Sequence, residues 1–147
     1  MGVGCDLLNR GGEGRMPERS RDWYDQATRD LENARWEVQG GFYEWGCFVA
    51  QQAAEKALKG VYQRLGAEAW GHSVAALLEG LRGRLEIETE LADGARVLDR
   101  FYVPARYPDG WDSGAPKEYY TREDADDAIG RAERVLRFCD GILARTG

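Results

Sequence analysis

The longest helical pattern in the chain covers residues 45–65. Apolar residues recur there at spacings of three and four, which places them on one face of an α-helix. They are Cys47, Ala50, Ala54, Ala57, Val61 and Leu65. A second apolar row formed by Trp45, Phe48 with Val49, and Ala53 widens this stripe. A wide stripe is typical of a helix with neighbours on more than one side, so the pattern predicts the central helix of a bundle.

Similar stripes predict four further helices, at residues 20–39, 73–85, 88–102 and 121–143. Ser20 and Ser73 are expected to be N-caps, and Pro104 is expected to end the fourth helix. The Gly40-Gly41 pair should join the first two helices as an antiparallel hairpin. No segment shows the sustained alternation that is typical of strands. The sequence therefore predicts an all-α fold, an antiparallel four- to five-helix up-down bundle.

Two stretches lie outside this helical pattern. Residues 1–18 are rich in glycine and are expected to form a flexible tail, which leaves residues 19–145 as one helical domain. Met16 lies just before the first helix, and one hypothesis is that it is the natural initiator. Residues 103–120 form a long connection with three prolines and four aromatic residues. These aromatic side chains favour a packed connection over plain disorder.

Charge and cysteine usage narrow the class of protein. The net charge of −6 argues against a general nucleic-acid coat, because non-specific binding depends on Lys and Arg neutralising phosphate. Cys5, Cys47 and Cys139 are far apart and have no metal-ligand spacing. Two of the three lie on apolar helix faces, so we interpret the cysteines as buried free thiols in a reducing cytoplasm. No apolar run approaches the ~20 residues that a membrane span needs, and the start has no signal-peptide pattern.

A polar strip follows one side of the 45–65 helix. Its members are i, i+4 neighbours or nearly so, and they are Gln51, Gln52, Glu55, Lys56 and Lys59. One interpretation is a solvent-facing strip with one ion pair. The other is a subunit or ligand face, because the remaining sides of the helix look buried. On that second interpretation the candidates for a dimer contact or cleft are Gln52, Glu55, Lys56 and Lys59.

A basic and aromatic cluster ends the fourth predicted helix. The candidate ligand-binding residues are Arg96, Arg100, Tyr102, Arg106 and Tyr107. From position 96 to position 107 the formal charge is +2 in an otherwise acidic chain. Guanidinium groups suit phosphate, and tyrosine rings can stack on bases. The alternative is that these arginines pair with the nearby aspartates, Asp99, Asp109 and Asp112.

Other chemistry is sparse. His72 is the only histidine, and at the entrance of a predicted helix it is expected to cap or pack. No phosphate-binding glycine loop and no dinucleotide fingerprint occurs, so the sequence predicts no cofactor and no metal site.

Three segments together resemble the HEPN family, whose name stands for higher-eukaryote and prokaryote nucleotide-binding domain. They are VAQQAAEKALKGVY at 49–62, GHSVAALLEGL at 71–81 and RFYVPARYPD at 100–109. The closing segment that begins TREDADDAIG is also similar to small bacterial members. The resemblance covers residues 19–143. It implies an antiparallel helical bundle that usually forms a homodimer, often encoded beside a minimal nucleotidyltransferase as a toxin–antitoxin pair.

Other members of that family are metal-independent RNases with an arginine followed, after four to six residues, by a histidine. Counting from Arg100, the required positions hold Ala105, Arg106 and Tyr107; counting from Arg106, they hold residues 111–113, which are Trp, Asp and Ser. Neither series contains histidine, so we expect a non-catalytic nucleotide-binding or RNA-binding subunit with a nucleotidyltransferase partner. The alternatives are a divergent RNase that uses Tyr107 or His72, and a structural homodimer.

Overall fold

A computed structural model describes residues 18–146, and within this range it contains helices and no strand. The α-helices are α1 (Ser20–Gln39), α2 (Tyr43–Leu65), α3 (Val74–Gly80), α4 (Thr89–Asp99) and α5 (Arg122–Thr146). Two short 3-10 helices, Pro108–Gly110 and Pro116–Glu118, lie between α4 and α5. The prediction of an all-α bundle is confirmed. The predicted tail, Met16 and Cys5 lie outside the described residues.

Helices α1 and α2 form the predicted antiparallel hairpin around Gly40 and Gly41. Two glycines of α2 let the backbones approach closely. A Cβ at Gly46 would lie 2.9 Å from a Val38 methyl group, and one at Gly60 would lie 3.0 Å from the Ser20 carbonyl oxygen. Contacts this short leave no room for a side chain, so these positions fix how tightly the hairpin packs.

The apolar stripes meet in one core between α2, α1 and α5. The central positions of α1 and α2 are buried, and so is the whole stripe that the pattern predicts for α5: Ala125, Ala128, Ile129, Ala132, Val135, Leu136, Cys139 and Leu143. The most exposed stripe residues are two tryptophans, since Trp23 is 36% exposed and Trp45 is 41% exposed. Three other stripe residues of α2 are only partly buried: Phe48, Val49 and Leu65. Both tryptophans lie at the edge of the predicted stripes, so the periodicity predicts which way these side chains point but not how far they are buried.

Helices α3 and α4 are shorter than their sequence patterns predict. Helix α3 begins at the predicted cap, since the Ser73 hydroxyl accepts a hydrogen bond from the Ala76 N–H at 3.0 Å. It ends at Gly80, and the chain continues through turns that still bury Leu81. Helix α4 ends at Asp99 and tightens into i→i−3 hydrogen bonds before Pro104.

The connection between α4 and α5 is held together by its aromatic residues. The Trp111 ring stacks on Tyr119, with centroids 3.9 Å apart, and its indole N–H donates to the Pro104 carbonyl at 2.9 Å. Tyr120 packs edge-on against Phe101. Burial raises the pKa of Tyr120 to about 12, so this phenol stays neutral at physiological pH. The connection therefore has a folded, packed structure.

The start of α1 and the end of α5 meet at Arg64 near the end of α2. Its guanidinium donates to the Leu143 carbonyl at 2.9 Å and to the Ser20 hydroxyl at 3.2 Å, and it pairs with Glu18 at 3.5 Å. Ser20 is the first residue of α1, and the N-cap position belongs to Arg19. The prediction that Ser20 caps this helix is therefore wrong.

The two described cysteines, Cys47 and Cys139, are fully buried free thiols, as predicted. Burial raises the pKa of Cys47 to about 12 and raises that of Cys139 further. Within residues 18–146, no helix is long and apolar enough to span a bilayer.

Candidate functional site

The site is organised around Glu55, a carboxylate on α2 that is only 4% exposed. Its Oε2 accepts hydrogen bonds from Lys59 Nζ at 2.8 Å and bonds His72 Nδ1 at 2.9 Å. Its Oε1 accepts from the Gln52 side-chain amide at 3.1 Å. A buried charge is tolerated when it is paired and hydrogen-bonded, and these three partners meet that condition.

A second carboxylate, Asp99, fixes the backbone next to His72. It accepts hydrogen bonds from the N–H groups of Val74 at 2.8 Å and Ala75 at 3.0 Å, and from the Ser73 hydroxyl at 2.7 Å. The Gln51 amide, fully buried, donates to Asp99 and to the His72 carbonyl. The end of α4 therefore caps the start of α3, and His72 is held from both sides.

His72 does not cap the helix, but its ring packs against an aromatic neighbour, which is one of the two roles expected from the sequence. Its side chain is 59% exposed, and its ring stacks on Tyr102 with centroids 5.4 Å apart and 16° between the planes. Because Nδ1 faces the Glu55 carboxylate, Nδ1 carries the proton of the neutral ring. Within residues 18–146, Nε2 has no hydrogen-bond partner, so in this tautomer Nε2 is the ring nitrogen left to accept a hydrogen bond.

Arg106 lies beside Tyr102 and is surrounded by aromatic rings. Its guanidinium carbon is 4.4 Å from the Phe48 ring centroid, 4.9 Å from that of Tyr102 and 5.1 Å from that of Tyr107. Its Nε donates to the Tyr102 carbonyl at 2.8 Å. No carboxylate in the described part of the chain pairs with it. Cation–π contacts orient the charge without neutralising it.

The structure brings together three of the five basic and aromatic candidates: Tyr102, Arg106 and Tyr107. Arg100 is exposed, and its guanidinium has no bonded partner in residues 18–146. Arg96 pairs with Asp93 on the surface of α4. The alternative that Asp99 neutralises these arginines is wrong, because Asp99 is committed to the start of α3.

The polar strip of α2 divides between two neighbours. Gln52, Glu55 and Lys59 join the network around His72, whereas Lys56 forms an ion pair with Asp30 of α1 at 2.5 Å. The interpretation of a wholly solvent-facing strip is wrong, since Gln51 and Glu55 are buried.

Sequence reasoning did not place Asp99 or Phe48 in the site as structural members, and it named His72 only in the alternative of a divergent RNase. One available signal was the predicted cap at Ser73, which places the only histidine directly before a helix start. The pairing of His72 with Glu55, 17 positions earlier, depends on how the 66–73 connection folds back along α2. Within residues 18–146, no cluster of three or more metal-ligating side chains occurs.

The family is decided by a match to the model of the HEPN domain over residues 20–142. The chain belongs to the HEPN family. Three solved structures are similar to this chain, and the descriptions of two of them name HEPN. TT1696 from Thermus thermophilus is 41% identical with a TM-score of 0.83, and the match covers 86% of this chain and 99% of that one.

ST0689, described as an archaeal HEPN homologue, is 46% identical with a TM-score of 0.73, covering 85% of this HEPN protein and 98% of ST0689. The HEPN domain protein TM0613 from Thermotoga maritima is 44% identical with a TM-score of 0.71, covering 84% and 98%. Among curated proteins, "Putative toxin MJ1304" from Methanocaldococcus jannaschii is 29% identical over 127 residues, covering 80% of this chain and 84% of the relative.

Proposed function

We propose that this HEPN protein is a non-catalytic binding subunit that holds a nucleotide or RNA phosphate at Arg106. The observation that carries the proposal is a guanidinium fixed by three aromatic rings and left without a carboxylate partner in residues 18–146. Arg100 also lacks a paired carboxylate in the described residues, so the three surrounding rings are what distinguish Arg106. A planar guanidinium offers forked donors that match phosphate oxygens.

Each neighbouring side chain has a role in this proposal. Arg100, exposed on the chain that leads to Arg106, supplies a second guanidinium for the same phosphate. Tyr107 is 49% exposed and offers its ring face to a base. Tyr102 orients both His72 and Arg106, because its ring contacts the imidazole and the guanidinium. Base stacking on an aromatic ring contributes about 1–3 kcal/mol.

The proposal extends to the partner. The relative named "Putative toxin MJ1304" and the family assignment support a role in a toxin–antitoxin system. In this proposal the chain is a homodimer that binds a minimal nucleotidyltransferase. Gln52, Glu55, Lys56 and Lys59 would then lie at or near the cleft between subunits. A partner of this kind predicts a complex that survives purification.

An equilibrium titration tests the ligand. ATP, GTP and a short RNA are titrated into the parent protein and into the Arg106→Ala variant, each followed by calorimetry. Arg29→Ala is the matched control, because Arg29 is a surface arginine on α1 paired only weakly with Glu32, at 3.9 Å. We expect about tenfold weaker binding for Arg106→Ala and no change for Arg29→Ala. Equal binding by all three proteins would remove Arg106 from the site.

The partner is tested by native mass spectrometry of the protein co-expressed with its genomic neighbours. A stable complex with a nucleotidyltransferase is the expected result. A bare homodimer without retained nucleotide would instead favour a structural role for the chain.

The geometry also favours a second candidate function, RNA cleavage. An exposed imidazole whose Nδ1 is oriented by a buried carboxylate, next to an unpaired guanidinium, has the components of an acid/base site. His72 Nε2 would accept the proton of a ribose 2′-hydroxyl, the 2′-oxygen would attack phosphorus, and the bond to the 5′-oxygen would break. Water would then protonate the departing 5′-oxygen, and Arg106 would stabilise the added charge on phosphate.

A cleavage assay on RNA separates this candidate function from the first. Pure protein is incubated with total RNA in EDTA, beside the His72→Gln variant. Cleavage by the parent and at least a hundredfold loss in the variant would support an RNase. No cleavage by the parent, or equal cleavage by both, would reject it.

A further inference from the structure

A cavity lies near the end of α2, next to Lys59. Its volume is about 430 Å³, within the range of small-molecule pockets. Trp23 of α1 forms one wall, α2 contributes Lys59 and Gln63, and the connection after α2 contributes Glu68 and Trp70. None of these residues contacts Arg106, so the cavity is distinct from the proposed anion site.

The two tryptophans expose flat apolar surface to solvent. Trp70 is 76% exposed and Trp23 is 36% exposed. They come from different elements, and in the described chain neither tryptophan is in contact with another aromatic ring, so no ring covers either indole. Trp23 is held in place because its Cβ lies against Gly60, where an added Cβ would come within 3.2 Å of it. Such faces suit a planar aromatic ligand.

Two polar side chains beside the tryptophans indicate which planar ligand. Glu68 is exposed, and no described residue pairs with its carboxylate. The Gln63 amide oxygen accepts the Arg19 backbone N–H at 3.1 Å, so the amino group of this amide is the end that remains for a ligand. The lining of the cavity therefore includes both a carboxylate acceptor and an amide donor.

We propose that the cavity between Trp23 and Trp70 binds a guanine base. The edge of guanine presents two adjacent donors, N1–H and the exocyclic amino group, and next to them the O6 acceptor. A carboxylate such as Glu68 accepts from both donors, and the Gln63 amino group donates to O6. Adenine has one donor and an acceptor on the same edge, so Glu68 discriminates against it. A site built to pair specific polar groups rejects ligands that leave them unpaired.

Guanosine is the probe that separates this site from the one at Arg106, because it has no phosphate. The indole N–H signals of the full chain, which has five tryptophans, are followed by NMR during titration with guanosine and with adenosine. We expect the Trp23 and Trp70 signals to shift with guanosine, and adenosine to bind about tenfold more weakly. The Arg106→Ala variant should respond to guanosine as the parent does.

Three variants test the assigned contacts. Trp70→Leu should weaken guanosine binding about tenfold, and Glu68→Gln should abolish the preference for guanosine over adenosine. Trp36→Leu is the control, since Trp36 is 71% exposed and does not line the cavity. No shift of the Trp23 and Trp70 signals at millimolar guanosine, or equal affinity in Trp70→Leu and Trp36→Leu, would overturn the proposal.

The source of the base is decided by comparing GMP with a guanine-containing RNA tetranucleotide. Tighter binding of the tetranucleotide would identify single-stranded RNA as the source, and equal affinity would identify a free nucleotide. Either result supports a guanine site, because both ligands present the same base edge.

Discussion

Replacing Asp99 by alanine tests whether the end of α4 holds the start of α3. The substitution removes the acceptor of four hydrogen bonds, from the Val74 and Ala75 N–H groups, the Ser73 hydroxyl and the Gln51 amide. The two backbone donors lie in the first turn of a helix and have no intrahelical partner. Gln51 retains its bond to the His72 carbonyl.

The expected loss of stability follows from these contacts. A hydrogen bond to a charged group contributes about 1.5–3 kcal/mol, and water replaces part of that at a half-buried position. We therefore expect the free energy of unfolding to fall by about 3 kcal/mol, mainly from the two backbone donors. For a chain of this size about 2–4 °C of Tm corresponds to 1 kcal/mol, so Tm should fall by roughly 6–12 °C.

The assay is thermal and urea unfolding followed by circular dichroism. Asp93→Ala is the matched control on the same helix, because Asp93 pairs with an exposed arginine and should contribute less than about 0.5 kcal/mol. The double variant with Ser73→Ala should be less destabilised than the sum of the single variants, since both side chains act on one helix start. Equal Tm values for Asp99→Ala and Asp93→Ala would refute the reasoning.

Three further predictions concern packing, titration and the buried carboxylate. Gly60→Ala should destabilise the fold by about 1–3 kcal/mol because its Cβ would meet α1 backbone, whereas Gly141→Ala, with nothing within 4 Å, should stabilise it by up to about 1 kcal/mol in urea unfolding. Stability should fall as pH rises above 9, the ordinary pKa of a thiol, because Cys47 and Cys139 keep their protons in the folded protein and lose them when unfolded. The slope is at most about 1.4 kcal/mol per pH unit for each thiol, and a pH series on a double alanine variant measures it. Glu55→Gln should lower stability by about 2–3 kcal/mol, because the lysine bonded to it loses its counter-ion, and unchanged urea unfolding would contradict this.

Much of the fold could be predicted because helical periodicity is a local property. The stripes of α1, α2 and α5 identify their buried faces without any knowledge of the neighbours. The ends of α3 and α4 could not be predicted in the same way. Asp99 ends α4 where its carboxylate reaches another helix, and that contact spans 26 positions of sequence to Ser73. The two glycines after position 79 weakened α3 by an amount that the sequence alone does not give.

The same distinction between local patterns and contacts distant in sequence applies to the candidate site. Tyr102, Arg106 and Tyr107 are near neighbours in sequence, so their grouping followed from residue chemistry and short spacing. His72 and Glu55 are brought together only by the fold. Lys56 and Lys59 are one turn apart on α2 but have different partners. Lys56 pairs with Asp30 of α1, whereas Lys59 pairs with Glu55, the carboxylate that also bonds His72.

The position of Arg64 has a consequence for chain connectivity. One guanidinium reaches both Glu18, before α1, and the Leu143 carbonyl, in the last turns of α5. These two points are therefore within a short linker of each other, while the Gly40-Gly41 turn at the other end of the hairpin is exposed. A circular permutant that joins the ends near Arg64 and opens the chain at Gly40-Gly41 would preserve every helix. The bundle depends on which helices pack against each other. The permutant keeps these helix pairs and changes only the order in which the helices follow one another along the chain.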